Sequence, residues 1–271
     1  MPYNNRFFSF FGLKYNPFEK NNSDLYRFDS TDVKELNIRL DHLISIKGIG
    51  LITGRPGLGK TSAVRNYVSK LNKSLFKIIY IPHTTLTEMD LLYLIVREFG
   101  YEPSTRKSTN IKTIQQAIID YSDSKKMTPI IIFDEANYLS SSFLNNLKMI
   151  LNFKMDSYDK FVVILMGLPV IISTLSNAAH EPLRQRIVMS YEFEGFSNSD
   201  IHNYITGKLE TAGGNPNIFE DGAIQLICNY SQNTPRIVDN IMSYSLLIAS
   251  QLKSNIITKD IINNAISQFS I

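Results

Sequence analysis

Apolar residues along this chain follow two rhythms. Ile49–Ile52, Phe76–Pro82, Ile130–Phe133, Phe161–Gly167 and Ile187–Phe193 are short runs rich in β-branched and aromatic residues. Runs of that length and composition predict strands of a parallel sheet covered on both faces. Between them apolar side chains fall at helical spacing, as in Ala63, Val64, Tyr67, Val68 and Leu71, then Leu91, Leu92, Ile95 and Phe99, then Phe143, Leu144, Leu147, Ile150 and Leu151. Strand and helix therefore alternate from 49 to 193, which predicts a parallel five-stranded sheet between helices. Beyond Ser197 the strand pattern stops. Segments 201–209, 223–228, 237–252 and 261–269 repeat apolar residues at three- or four-residue intervals, with Thr258 placed to cap the last. The expected organisation is an N-terminal segment at 1–48, an α/β core at 49–196 and a small all-helical domain at 197–271, joined across the polar stretch FEGFSNSD, Phe193 to Asp200.

Composition narrows the class. At 271 residues, 44% hydrophobic and 20% charged, the chain has ordinary globular usage and is long enough for a substantial core. A single cysteine, Cys228, rules out an internal disulfide and a cysteine-rich metal site, as expected of a reducing compartment. The longest apolar run, Phe161 to Ile172, is interrupted by Gly167 and Pro169 and falls short of a membrane span. The start MPYNNRFFSFFGLK has no small-residue cleavage site, so the expectation is a cytoplasmic protein with no membrane partner. A net charge of +3 permits binding to a polyanion without arguing for it.

The chemistry is concentrated at two strand ends. Gly54, Arg55, Pro56, Gly57, Leu58, Gly59, Lys60, Thr61 and Ser62 follow the first strand and lead into the first amphipathic helix, matching G-x-x-x-x-G-K-[ST]. Strand, glycine-rich loop and helix in that order converge backbone N–H groups and a helix N-terminus on a phosphate. Lys60 is placed to reach the β- and γ-phosphates of ATP, and the Thr61 hydroxyl to ligate Mg²⁺. The competing reading, a chance glycine turn, explains neither flank. At the end of the third strand, in PIIIFDEANYL, stand Asp134 and Glu135. Beside a phosphate loop Asp134 serves as the Mg²⁺ acid and Glu135 as the group that activates water. Without that loop, an acidic helix start would be the better account of the pair.

An α/β phosphate-loop core followed by a helical domain resembles the AAA+ ATPases. FFGLKYNPF at Phe10–Phe18, KGIGLITGRPGLGK, IIFDEA and PLRQRIV together resemble the ExeA-like branch, which groups with the TnsC and TniB transposition regulators and, more distantly, the IstB helpers. The resemblance implies that Arg184 or Arg186 of HEPLRQRIV reaches ATP held by a neighbouring subunit. A helix C-terminal pair suited to the helix dipole is the competing reading. It also implies that Arg236 of QNTPRIVDNI touches phosphate from the helical domain. Two positions depart from the pattern. Gly167 and Leu168 stand where relatives place a polar sensor of the γ-phosphate, and Asn233 and Thr234 stand where a glycine precedes the proline.

The function this implies is an oligomerising ATPase, as ring or helical filament with ATP at the subunit interfaces, that loads on double-stranded DNA without sequence preference and recruits or activates a transposase. Alternatives are an ExeA-like ATPase energising secretion or envelope assembly and a slowly hydrolysing ATP switch. A small-molecule kinase shares the loop but leaves the helical domain and LRQR unexplained. Thr84, Thr85, Arg106, Lys107 and Lys112 are the candidate DNA contacts, in polar stretches that equally suit solvated loops. Phe7, Phe8, Phe10, Phe11 and Phe18 are expected to pack on the α/β core beside the adenine site, with a transposase docking patch as the other reading.

Overall fold

The computed structural model describes residues 7–268 apart from His83 and 151–159. Expectations attached to residues 1–6, His83, Leu151 and Phe269 lie outside the described residues. The chain divides into two units. One comprises Glu35–Pro56 and Lys60–Phe193, the other the chain up to Lys34, Gly57–Gly59 and the chain from Glu194 onward.

In the first unit, β1 (Gly48–Thr53), β2 (Phe76–Ile81), β3 (Thr128–Phe133), β4 (Val162–Gly167) and β5 (Ile187–Glu192) form one sheet in the order β2-β3-β4-β1-β5. Every pairing is parallel. The loops after all five strands therefore lie along one edge, where open α/β sheets bind ligands. Thr53 pairs with Gly167 and Phe133 with Leu165, so the end of β4 lies between the ends of β1 and β3. The three central strands are buried almost throughout, in accord with their unbroken apolar runs.

The short α1 (Phe7–Phe10) belongs to the other unit and α2 (Thr31–Ile46) enters this one at Glu35; α3 (Lys60–Lys70), α4 (Glu88–Glu98), α5 (Lys107–Ile119) and α6 (Ser141–Ile150), with the short α7 (Val170–Leu175) and α8 (Glu181–Arg184), complete it. The stretch Pro103–Lys112, read from sequence as a polar loop, is helical from Lys107 onward. Ile111, Ile114 and Ile118 give α5 a buried face, and the fully buried Asn110 clamps the preceding turn, accepting from Ser104 N at 2.7 Å and donating to Ser104 O at 2.8 Å.

The second unit is helical. Helices α9 (Asn198–Thr211), α10 (Ala223–Ser231), α11 (Pro235–Gln251) and α12 (Lys259–Ser267) surround a core that includes Ile205, Leu209, Ile227, Val238, Met242 and Ile262. Their starts are chemically marked. Ser197 and Asp200 form a reciprocal capping box on α9, and Thr258 caps α12. The N-terminal aromatic segment belongs to this core. Leu13 and Phe18 are buried in it, and Phe7, Phe8, Phe11, Tyr15, Tyr26 and Phe28 pack against it. This corrects the expectation that the segment packs on the α/β core. An aromatic cluster carries no address of its own and goes where apolar surface needs cover. Asp32 ties the two ends of the unit, accepting from the backbone N–H of Gly195 at 2.8 Å.

Candidate functional site

The phosphate loop leaves β1 at Thr53 and closes at Lys60, the first residue of α3. Gly57 has φ +83°, and a Cβ there would lie 3.0 Å from Thr234 Cγ2 and 3.1 Å from Arg236 Cβ. Only glycine combines that backbone with that proximity. The Gly57 carbonyl accepts from the backbone N–H of Arg236 at 3.4 Å, in the first turn of α11. Leu58 is buried, whereas Arg55 and Pro56 are exposed. The Lys60 ammonium donates to the carbonyls of Gly54 at 2.6 Å and Arg55 at 2.9 Å, so its charge lies along the mouth of the loop.

Asp134 is the hub of the site. It directly follows β3 at 8% exposure, and its carboxylate collects three hydrogen bonds. Oδ2 accepts from Thr61 Oγ1 at 2.8 Å and from the Tyr80 hydroxyl at 2.7 Å, and Oδ1 accepts from Glu135 N at 2.9 Å. Thr61 and Asp134, 73 residues apart in the chain, are thus brought together by the sheet. Burial, with the hydrogen bond to Asp134 next, pushes the Tyr80 phenol above the ordinary tyrosine range, so it remains a donor at neutral pH. Glu135 turns out of the strand into solvent with φ 52° and ψ 37°, a left-handed conformation that costs energy in a residue other than glycine. Its carbonyl is held by the Thr84 hydroxyl at 2.6 Å.

That contact removes Thr84 from the DNA candidates. Its side chain is 1% exposed and its hydroxyl proton is committed, so it cannot meet a phosphate. Thr85, Arg106 and Lys112 are exposed, and Lys107 pairs with Glu88 at 2.7 Å. Arg184 ends α8 exposed to solvent, with Nη1 3.4 Å from the Ser176 carbonyl. Arg186 is half-buried just before β5, and its carbonyl accepts from Ile49 N at 3.4 Å. Buried His180, within hydrogen-bonding distance of Asn145 and Ser141, anchors this segment to α6. Arg236 is exposed on α11, and Ser62 on α3.

Among the described residues no group of three or more His, Cys, Asp or Glu side chains is arranged to hold a metal. A hydroxyl and one carboxylate, Thr61 and Asp134, are hard oxygen donors that suit Mg²⁺, an ion that retains waters and takes further oxygens from phosphates.

Residues 44–175 match the family model described as an AAA domain. The chain carries the AAA+ ATPase fold. It is similar to the ORC2 protein of Aeropyrum pernix in its ADPNP-ADP complexes, with a TM-score of 0.67 and 17% identity over 94% of this chain and 72% of that one. It is also similar to Drosophila ORC bound to DNA, with a TM-score of 0.68 and 15% identity over 95% of this chain and 67% of that one. In sequence it is 29% identical over 244 residues to general secretion pathway protein A of Aeromonas hydrophila, covering 89% of this chain and 44% of the relative. The chain thus spans less than half the length of that relative.

Tyr80 and Asn137 escaped the sequence reading. The hydroxyl in FKIIYIP was an available signal, being the polar group of that strand nearest its C-terminal end, beyond Lys77. Nothing in the sequence pairs it with Asp134.

Proposed function

We propose that the chain is a Mg²⁺-dependent ATPase module that works as a head-to-tail assembly. The Thr61–Asp134 hydrogen bond carries the reading, because it gathers the metal-binding pair at the mouth of the phosphate loop with Glu135 beside it. Bound Mg²⁺ would supply charge neutralisation at the terminal phosphates. Thr61 Oγ1 and Asp134 would hold the ion, Lys60 would exchange its carbonyl partners for phosphate oxygens, and Glu135 would take a proton from the attacking water. Arg236 would add charge from α11, and Arg184 or Arg186 would complete the site of the next subunit with its rigid, permanently charged fork.

Two substitutions test this. Lys60→Ala should abolish ATP binding, and Glu135→Gln should keep binding while slowing hydrolysis on the order of 10²-fold or more. Binding of labelled ATP to Lys60→Ala as tightly as to the parent would refute the phosphate-loop assignment.

For the work this module drives, the likeness to general secretion pathway protein A favours an ATPase energising a secretion or envelope assembly, since it extends beyond the AAA domain over 89% of the chain. Among the described residues no helix is long and apolar enough to cross a membrane. Regulation of a transposase on DNA is the second reading, supported by the LRQR and NPF resemblance and by the DNA-bound Drosophila neighbour. Duplex DNA binding that appears with ATP and falls steeply with salt would support the second reading, and its absence the first.

A further inference from the structure

The polar group that tells ATP from ADP in this chain comes, we propose, from Asn137 in the turn after β3, and not from the end of β4. The inference rests on the nucleotide reading above and assigns one further residue to it.

The sheet order fixes where such a group must stand. β4 runs between β1, which leads into the phosphate loop, and β3, which delivers Asp134 and Glu135. All three are parallel, and Gly167 at the end of β4 is in register with Thr53 at the start of the loop. A side chain at the end of β4 would therefore lie between the phosphate loop and the acidic pair. Yet β4 ends in Gly167 followed by Leu168 and offers no polar side chain there.

Asn137 occupies that space. A Cβ built on Gly167 would lie 2.8 Å from Asn137 Oδ1 and 3.0 Å from Asn137 N. Leu168 N–H donates to Asn137 Oδ1 at 3.0 Å, and because an N–H needs an acceptor, this bond fixes which end of the amide is oxygen. Oδ1 is committed to Leu168, and among the described residues nothing accepts from Nδ2. The side chain is half-buried, so the amide is both accessible and held. The absence of a side chain at Gly167 and the presence of the Asn137 amide are two sides of one packing solution.

An amide anchored through its oxygen presents two N–H donors at no charge-burial cost and with little freedom to lose on binding. Two residues beyond Glu135, such a donor suits an anionic oxygen of the terminal phosphoryl group, which ATP has and ADP lacks. Asn137 is accordingly a specificity residue for the triphosphate.

The test is equilibrium binding of fluorescent ADP and of a fluorescent non-hydrolysable ATP analogue, both with Mg²⁺, so that turnover does not enter. Asn137→Asp is the decisive variant. It keeps an oxygen for Leu168 N–H but replaces the N–H donors with a carboxylate oxygen that repels phosphate. Asn137→Asp should weaken the ATP analogue by well over tenfold and Asn137→Ala by roughly tenfold, each leaving ADP within about twofold of the parent. Retained ADP binding shows that the variants are folded. Equal loss of both nucleotides, or an unchanged preference in Asn137→Asp, would overturn the assignment while leaving the nucleotide reading intact. A parent protein that binds neither nucleotide would overturn both.

Discussion

Lys208 is one of the most deeply buried large side chains in the protein, and replacing it tests how the helical unit holds α11, the helix that carries Arg236. Its ammonium lies 2.8 Å from Asp239 Oδ1, 4.6 Å from the centre of the Tyr204 ring and 5.3 Å from that of Phe18. Tyr204 donates its hydroxyl to the same carboxylate at 3.0 Å. Burial pulls the Lys208 pKa down and pushes that of Asp239 up, so desolvation opposes both charges and their mutual attraction offsets it. Removing one partner of such a pair costs about 3–5 kcal/mol. Here the Asp239 side chain is 23% exposed and keeps its Tyr204 hydrogen bond, so Lys208→Met should cost less, about 2–3 kcal/mol. The readout is amide hydrogen exchange in α9 and α11, which reports on this unit by itself. Exchange limited by opening of these helices should accelerate roughly 30- to 150-fold, at 1.36 kcal/mol per factor of ten. The deficit should shrink as pH falls below neutral. Without the ammonium the Asp239 pKa rises further, the folded state then binds the extra proton, and stability lost above that pKa returns below it. Lys208→Met with Asp239→Asn should recover most of the loss, because it removes both charges and keeps an oxygen that accepts from the Tyr204 hydroxyl. If the double variant exchanged as fast as Lys208→Met alone, the loss would come from packing and the argument from a stranded charge would fail.

Tyr80→Phe removes one of the two hydroxyls that donate to Asp134 Oδ2, leaving Thr61, and should raise the Mg²⁺ concentration for half-maximal ATP binding about three- to tenfold; an unchanged Mg²⁺ titration would deny Tyr80 a positioning role. The buried Tyr67 hydroxyl donates to Asp41 at 2.6 Å, and burial followed by that bond raises its pKa. Its contribution is therefore present below the ordinary tyrosine value of about 10 and lost as pH rises towards the folded value, so above pH 10 urea stability should fall more steeply in the parent than in Tyr67→Phe, and parallel curves would refute this. Arg184→Ala and Arg186→Ala should each leave a folded subunit that binds ATP, with at least one failing to assemble or hydrolyse; sedimentation with ATP and with ADP measures this, and a parent that stays monomeric at tens of micromolar would sink the shared-site model.

Local chemistry and periodicity already determine much of this protein in its sequence. The runs at β1, β3 and β4 become the central strands because a strand buried on both faces admits little else, the partly exposed β2 and β5 take the edges, and 201–209 and 223–228 fall within α9 and α10 because their apolar faces need a common core. The GRPGLGKT loop was legible for the same reason, since its glycines, lysine and threonine act within a few residues of one another. Tertiary structure decided what depends on distant partners. The N-terminal aromatics entered the helical core with Phe18 beside Lys208, a destination no local pattern encodes. Thr84, polar and loop-like in sequence, is buried because the Glu135 carbonyl needs its hydroxyl. Tyr80 meets Asp134 only because β2 and β3 pair in a particular register, in which Tyr80 lies beside Ile132. Gly167 and Asn137 are likewise thirty residues apart and unremarkable singly, and only the packing of β4 against the turn after β3 turns a missing side chain and an amide into one feature.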